Sequence, residues 1–177
     1  MKRFTCLILA LLLALSATAC SARKPAAKVP VDYYYPYPMD EIAYNGQPTI
    51  MDSEQRESLG HEGDWVYLLN EYFKGPVSDE LVSPFPARLT VVSLEIIGDM
   101  VSLELSNPLG QLTGIDLTVA CSCISQTCLG MIPEINKVQI SAADTLLEGS
   151  KWVIMTRDSM MLLDDSAVPT ETADATE

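Results

Sequence analysis

Basic residues are scarce in this sequence. Lysine and arginine total 11 against 24 aspartates and glutamates, which gives a formal net charge of −13. Nucleic-acid binding needs a basic footprint, so this charge balance excludes a nucleic-acid partner and also disfavours adhesion to anionic lipid or anionic wall polymers. A protein partner or a neutral ligand fits the charge better.

The sequence also lacks the signatures of common enzyme sites. It contains no nucleophile elbow, no phosphate-binding glycine loop and no cysteine–histidine pair with suitable spacing. The single histidine, His61, lies between Gly60 and Gly63, where a polar loop residue is favoured over a metal ligand. Carboxylates are scattered, as expected in so acidic a chain. We therefore predict a protein that is not an enzyme.

After residue 20, no apolar run is long enough for a transmembrane helix. Residues 1–19 combine a basic start, an apolar stretch and small residues, which is typical of an export signal. The adjoining Ala-Thr-Ala-Cys at residues 17–20 is similar to a bacterial lipobox, in which the cysteine is acylated. We therefore expect Cys20 to anchor the protein to the extracytoplasmic face of the cell membrane. An ordinary secretory signal cut near Ala19 is the alternative.

Composition divides the remaining chain into three parts. Residues 20–30 are rich in alanine, lysine and proline, which suits a tether behind the lipidated cysteine. Residues 164–177 are acidic and almost free of large apolar side chains, so we predict a disordered tail. The intervening residues 31–163 are enough for one domain with its own core and too few for two.

The first half of this domain shows one strand signal and one helix signal. Aromatic, β-prone residues 31–35, followed by Pro36, predict an opening strand. Residues 39–63 are predicted to be irregular. Asp64 can cap a helix with one apolar face, and the lysine, glycine and proline at residues 74–76 form a strong stop signal.

A β-hairpin is predicted around Gly98–Asp99. A two-residue turn there gives three apolar cross-strand pairs, namely Ile96 with Val101, Leu94 with Leu103, and Val92 with Leu105. The opposite face of the hairpin is polar. We therefore expect a sheet that is covered on one side only.

A second helix is predicted after the loop at residues 107–115. Asp116 either caps this helix or lies in its first turn. A continuous apolar stripe follows at helical spacing, formed by Leu117, Ala120, Cys121, Ile124, Cys128 and Met131. Residues 135–140 and 152–155 are then predicted to be strands.

Four tyrosines lie close together near the start of the domain, at Tyr33, Tyr34, Tyr35 and Tyr37. A half-buried strand with hydroxyls at its rim is one interpretation. The alternative is a ligand platform for carbohydrate or a partner, as a lipoprotein that binds solutes or cell-wall fragments would need.

Three thiols, Cys121, Cys123 and Cys128, have a spacing that resembles metal ligands. On a helix, however, Cys121 and Cys128 lie about 10.5 Å apart along the axis, and Cys123 points away from both. This separation excludes a disulfide, and diverging thiolates cannot share one ion. We therefore predict buried, reduced packing residues and no metal or cofactor. A metal or thiol protein remains the alternative.

Three landmarks occur in an order that resembles a GerMN domain. They are LLNEYFKGP at residues 68–76, LVSPFP at 81–86 and GQLTGIDLT at 110–118, the last leading into a cysteine-bearing helix. Residues matched to this pattern, as interaction or structural motif positions, are Gly75, Pro76, Ser83, Pro84, Phe85, Pro86, Asp116 and Cys123.

The resemblance implies a fold and a class of protein. GerMN domains are small non-catalytic units of bacterial envelope lipoproteins, named for sporulation and spore germination proteins. The implied fold is α+β, with two helices packed on one face of a mixed sheet in the order strand, helix, hairpin, helix, strand, strand. The implied role is an interaction or scaffold module that helps assemble an envelope complex. Its partner would be another envelope protein or, with no direct support, a second copy.

Overall fold

The structure is a computed structural model that describes residues 29–38 and 50–159. The predicted export signal, Cys20, most of the tether and the acidic tail at 164–177 lie outside the described residues. Within the described part, no helix is both long and apolar enough to span a membrane.

Two helices and six strands make up the described part, and the predicted α+β class is confirmed. They are, in chain order, β1 (Pro30–Pro36), β2 (Met51–Glu57), α1 (Trp65–Tyr72), β3 (Val91–Ile97), β4 (Met100–Leu105), α2 (Gly114–Met131), β5 (Lys137–Ala142) and β6 (Val153–Thr156). Short 3₁₀ turns follow β4 and β6. The order agrees with the prediction except for the additional strand β2.

Strand β2 corrects the prediction that residues 39–63 are irregular. It pairs antiparallel with β1, from Pro30 opposite Glu57 to Pro36 opposite Met51. The two strands form a sheet of their own, so the domain contains two sheets where one was expected. The sequence of β2, MDSEQRE, is nearly all polar, and only Met51 is buried, so the strand has no apolar alternation from which it could be predicted.

The larger sheet is mixed, as predicted, with strand order β3-β4-β5-β6. Strands β4 and β5 run parallel, and α2 lies in the crossover between them. Val101, Leu103 and Leu105 of β4 are completely buried on the face that the helices cover. The expected packing of both helices on one face of a mixed sheet is therefore present.

The hairpin follows the predicted register near its turn but not at its far end. Ile96 pairs with Val101 and Leu94 with Leu103, whereas the partner of Leu105 is Val91 and not Val92. A β-bulge at this point adds one residue to β3 and shifts the pairing. The predicted dry face also fails at the edge of the sheet, because Ile96 and Val92 remain exposed.

Helix α2 is buried on nearly all sides, so the predicted single apolar stripe is too narrow. Its Leu117, Cys121 and Ile124 belong to the main core with the larger sheet. Val119 and Cys123 pack with Ile50 and Met51, on the side of the β1–β2 ribbon. The helix thus lies between two sheets, which explains why small residues occupy so many of its positions.

Candidate interaction site

A groove forms where two of the three sequence landmarks meet. Its volume is about 310 Å³, and its lining residues are Pro36, Val82, Ser83, Pro84, Phe85, Pro86, Leu112, Ile115, Asp116 and Val119. The structure therefore brings together five of the predicted motif residues, the SPFP segment and Asp116. We call this surface the SPFP groove.

One wall of the SPFP groove is an extended segment held against the end of β1. The amide of Val82 donates a hydrogen bond to the carbonyl oxygen of Pro36 over 2.9 Å, and the hydroxyl oxygen of Ser83 accepts one from the amide of Phe85 over 3.3 Å. Pro84 and Pro86 fix φ and cannot donate, so the path stays extended. A partner at this wall therefore meets side chains and carbonyls rather than a row of amides.

Phe85 fixes this wall to the core. Its ring lies edge-on to Tyr72 and to Phe73, with centroid distances of 4.8 and 5.1 Å. Edge-to-face contacts of this kind add to the stabilisation from burial. The same side chain therefore supports the fold and forms part of the groove.

The opposite wall is the start of α2. Of the two predicted positions for Asp116, the structure has the second, because Thr113 is the cap and Asp116 lies in the first turn. Its negative charge interacts favourably with the positive end of the helix dipole. The carboxylate of Glu148, from the turn before β6, accepts a hydrogen bond from the amide of Gly114 and satisfies one free helix-start donor. Ile115 is 62% exposed beside these polar groups. An apolar side chain thus stands in water at the rim of the groove.

The remaining landmark, which ends in Gly75–Pro76, lies outside the SPFP groove. The guanidinium of Arg56 donates to the carbonyl oxygen of Gly75 over 2.7 Å and to the hydroxyl of Tyr35 over 3.1 Å. The same side chain forms a salt bridge with Glu54, whose other carboxylate oxygen accepts from the amides of Val77 and Ser78, each over 2.7 Å. We call this network the Arg56–Glu54 clamp.

The clamp favours the ionised form of Glu54. Burial opposes the charge, but the hydrogen bonds from the Ser78 amide, Arg56 and the Val77 amide outweigh it and lower the pKa of Glu54 below its ordinary value. The clamp holds the loop after α1 against β2. Gly75 has a φ of +97°, and a Cβ there would meet the Cβ of Ser83 at 3.4 Å, so the two landmarks touch at this point.

The four tyrosines do not form a continuous ligand platform. Tyr33 and Tyr35 are buried, and their hydroxyls donate to the carbonyl oxygens of Leu68, in the middle of α1, and Tyr72, at its end. Burial raises the pKa of Tyr33 to about 12, although the nearby Arg56 lowers it in part. These two hydroxyls join β1 to the backbone of α1, which matches the interpretation as a half-buried strand.

Tyr34 and Tyr37 are half-buried and engaged in different ways. The backbone of Tyr34 joins the two helices, because its amide donates to the hydroxyl of Thr127 and its carbonyl accepts from the hydroxyl of Tyr72. The hydroxyl of Tyr37 donates to Asp52 of β2 over 2.9 Å. Neither ring contributes to an exposed aromatic row.

The three thiols are free and buried. Cys121 and Cys128 lie in the main core, whereas Cys123 lies in the separate cluster beside the ribbon. Burial raises the pKa of Cys121 and Cys128 to about 12 and also raises the pKa of Cys123. Among the described residues, no group of three or more histidine, cysteine or acidic side chains is placed to hold a metal ion.

His61 takes part in a local surface contact. Its ring stacks on Tyr67 with a centroid distance of 3.5 Å, and its Nδ1 lies 3.7 Å from a carboxylate oxygen of Asp64, the cap of α1. These contacts are those of a loop residue that supports a helix start.

Sequence reasoning missed three residues that lie outside the SPFP groove but hold the segments around it, namely Glu54, Arg56 and Glu148. Glu54 and Arg56 were passed over because they lie in the unrecognised strand β2. Their separation by two residues places both on one face of a strand, which is the signal that could have found them. Glu148 caps α2 from a turn that is distant in sequence, and nothing in the local sequence indicates that contact.

No protein-family model and no curated protein match the sequence. Among solved structures, the chain is similar to the tandem GerMN domains of the sporulation protein GerM from Bacillus subtilis, with a TM-score of 0.55 and 17% identity over 82% of this chain and 50% of that chain. It thus spans half the length of that structure. A match to the first GerMN domain of GerM has a TM-score of 0.49 and 14% identity, over 73% of this chain and 98% of that chain.

A crystal structure described as a lipoprotein from Clostridium perfringens is also similar, with a TM-score of 0.46 and 17% identity, over 74% of this chain and 89% of that chain. At these identities the likeness concerns the fold. The described part of the chain has the fold of a GerMN domain.

Proposed function

We propose that the protein is a lipid-anchored, extracytoplasmic lipoprotein whose GerMN-like domain is a non-catalytic module for binding other envelope proteins. Its role would be to assist the assembly of an envelope complex, of which sporulation and germination complexes are examples. The observation that carries this proposal is the SPFP groove, an open apolar surface built from the residues that resemble the GerMN pattern.

The exposure of apolar side chains at the groove supports a binding role. Ile115 is 62% exposed and Val82 is 38% exposed, on opposite walls. Neither side chain belongs to the hydrophobic core, so the core does not explain why these positions are apolar. Exposed apolar side chains grouped at a concave surface are typical of sites that accept an anchoring side chain from a protein partner.

Charge narrows the chemistry of that partner. Asp116 lies on the rim, and the whole chain carries a formal net charge of −13. A partner segment with one apolar anchor and a neighbouring basic side chain would complement both features. Since Pro84 and Pro86 offer no amide, the segment would bind through side chains and not as an added strand.

The engagement of potentially reactive groups supports a non-catalytic role. The buried tyrosine hydroxyls donate to carbonyl oxygens of α1, the thiols are buried with raised pKa values, and His61 contacts Tyr67 and Asp64 at the start of α1. In the described part, these groups stabilise the fold and none of them lines the SPFP groove.

Site-specific photocrosslinking tests the groove. A photoreactive residue replaces Val82 in the full chain, and the matched control carries it in place of Ile154, which is 49% exposed on β6 outside the groove. We expect a discrete protein adduct from position 82 in native membranes, and little from position 154. Adding Ile115→Glu should reduce the adduct.

Equal adducts from both positions would contradict binding at the groove. Crosslinking to cell-wall fragments in place of protein would instead favour a lipoprotein that binds solutes or wall fragments.

Acylation is tested separately. Metabolic labelling with palmitate compares the wild type with Cys20→Ala, and the label should be lost in the variant because Cys20 is the proposed acylation site. Equal labelling of the two proteins would reject the anchor without affecting the test of the groove.

A further inference from the structure

A second concave surface lies beside the start of β1. Its volume is about 270 Å³, and it is bounded by β1, by the start of α1 and by the end of α2. Val29, Trp65, Met131 and Pro133 form its apolar walls. None of its lining residues belongs to the SPFP groove. We call this surface the Trp65 pocket.

Two carboxylates, those of Asp32 and Glu62, line the same pocket. Asp32 accepts a hydrogen bond from the side-chain amide of Gln55 over 3.1 Å, and Glu62 accepts one from the hydroxyl of Ser58 over 2.6 Å. Both donors are neutral, and within the described part neither carboxylate forms a salt bridge. The hydrogen bond from Ser58 lowers the pKa of Glu62, so this carboxylate is ionised at neutral pH.

The end of α2 adds to the negative potential of the pocket. This helix has 18 residues, ends at Met131 in the pocket wall and has no basic residue in its last turn. Arg157 donates to the carbonyl oxygen of Leu129 but does not line the pocket. The positive end of α1 is also nearby, but that helix has only eight residues and its cap, Asp64, is an acid. The pocket therefore favours a cation.

The apolar walls specify which kind of cation fits. Lysine and arginine carry their charge at the end of an apolar stem, and tryptophan rings attract such cations. The pocket thus suits a segment that combines basic side chains with small apolar residues.

The chain contains such a segment directly before the pocket. Residues 23–28 read RKPAAK, in which three residues are basic and the others are proline and alanine. Lys28 adjoins Val29, which lines the pocket and whose carbonyl oxygen accepts a hydrogen bond from the amide of Ser58 over 3.0 Å. Because the segment is attached at the pocket, its binding is intramolecular and needs only weak contacts.

We propose that residues 23–28 bind back onto the Trp65 pocket, with their basic side chains at Asp32 and Glu62 and their proline and alanines against the apolar walls. This binding does not depend on acylation of Cys20. Because the paired charges are exposed to solvent, salt weakens the bound state.

Binding of the segment sets the reach of the lipid anchor, a consequence that rests on the proposed function. Residues 21–29 connect Cys20 to the pocket and span at most about 30 Å when extended. With residues 23–28 bound, only the stretch from Cys20 to Arg23 separates the domain from the membrane, which is about 10 Å. Release of the segment therefore lets the SPFP groove reach partners further from the membrane.

Fluorescence quenching of the full chain, purified in a neutral sugar detergent, tests the contact. The chain has two tryptophans, and Trp152→Phe, at an exposed position, leaves Trp65 as the only reporter. Acrylamide is the quencher. It is uncharged, so the quenching constant reports access to Trp65 and not the net charge of the variant.

Two charge reversals are compared in this background. The segment variant is Arg23→Glu/Lys24→Glu/Lys28→Glu, and the pocket variant is Asp32→Lys/Glu62→Lys. We expect each alone to raise the quenching constant at least about twofold, because the pocket loses its cover. Combining the two should restore protection, since the charges are again opposite.

Two further measurements do not require the reversed pocket to fold. Asp32→Asn/Glu62→Gln, which keeps both side-chain shapes, should also raise the quenching constant. Salt at about 1 M should raise it in the Trp152→Phe parent and leave the segment variant unchanged.

Four results would overturn the proposal. They are equal quenching in the parent and the segment variant, no restored protection in a folded combined variant, protection that rises with protein concentration, and protection that appears only with phosphatidylethanolamine vesicles. The third would assign the pocket to a second copy and the fourth to a lipid headgroup. None of them alters the palmitate labelling or the photocrosslinking at the SPFP groove, so failure here is distinct from failure of the proposed function.

Discussion

The Arg56–Glu54 clamp and the SPFP groove each contain residues that resemble the GerMN pattern, but different interactions hold them. The clamp contains Gly75, and the groove contains the SPFP segment and Asp116. At the clamp, a salt bridge and four further hydrogen bonds tie β2 to β1 and to the loop at Gly75. At the groove, Ile115 and Val82 expose apolar surface. The difference indicates that Gly75–Pro76 serves the fold, whereas the SPFP segment also presents a surface. The resemblance alone cannot tell a structural residue from a binding residue. The two kinds are distinguished by whether polar groups are hydrogen-bonded within the fold, as at the clamp, or apolar side chains are left exposed, as at the groove.

The largest effect is expected at Phe85, which belongs to the core and to the groove. Phe85→Ala removes the ring contacts with Tyr72 and Phe73 and should lower the free energy of unfolding by about 3 kcal/mol. Phe85→Leu keeps most of the volume and should cost less than about 1.5 kcal/mol. Urea unfolding of the purified chain measures both. A negligible effect of the alanine variant would show that the groove wall is independent of the core.

The clamp should respond to pH through Glu54. Because its folded-state pKa is lowered, its contribution to stability is present above the unfolded-state pKa and is lost as the pH falls through the folded-state pKa. Glu54→Gln should lower stability by about 1–2 kcal/mol at neutral pH through weaker hydrogen bonds. Thermal unfolding from pH 7 to pH 3 should show a shallower acid loss in the variant. The same slope in both proteins would mean that Glu54 is not held ionised by the clamp.

A smaller effect on stability is expected at Gly75, where the two landmarks lie next to each other. Gly75→Ala should cost about 1 kcal/mol or more, because φ is +97° and the added Cβ would lie 3.4 Å from the Cβ of Ser83, at the short limit of van der Waals contact. Gly63→Ala is the matched control, since Gly63 has a φ of +81° and open space around it. The excess loss at Gly75, measured by urea unfolding, reports the contact between the loop and the SPFP segment. Equal losses would leave backbone strain as the whole effect.

The smallest effect on stability is expected at the groove rim. Ile115→Glu should change the free energy of unfolding by less than about 0.5 kcal/mol, because the side chain is 62% exposed and adds little to the core. Ile154→Glu on β6 provides a control of the same chemistry. Chemical denaturation of the two variants measures the change. A large loss at Ile115 would assign that residue to the fold and weaken the contrast with the clamp.

Local sequence patterns were sufficient for the elements that depend on local chemistry. The Asp64 cap is present, since its carboxylate accepts from the amide of Tyr67, and the Gly98–Asp99 turn joins β3 and β4. Strand β2 could not be predicted from apolar alternation, because its sequence is polar. The bulge at Val92 could not be predicted either, because Val92 is as β-prone as its neighbours and the sequence of β3 shows no sign of an extra residue.

The SPFP groove itself could be predicted only as separate motifs. Its walls come from the end of β1, from residues 82–86 and from residues 112–119, and tertiary packing brings these segments together. No local pattern in the sequence indicates that Ile115 and Val82 line the same groove. The burial of α2 on two sides was missed for the same reason, since the ribbon that covers it includes the unrecognised strand.

The most direct test of the account combines binding and stability on one variant, Ile115→Glu, in the full chain with a photoreactive residue at position 82. The measurement is the yield of the protein adduct in native membranes, with Ile154→Glu as control. We predict that the adduct is lost in Ile115→Glu and retained in Ile154→Glu, while both variants keep wild-type stability. An undiminished adduct in a stably folded Ile115→Glu protein would contradict a binding role for the SPFP groove.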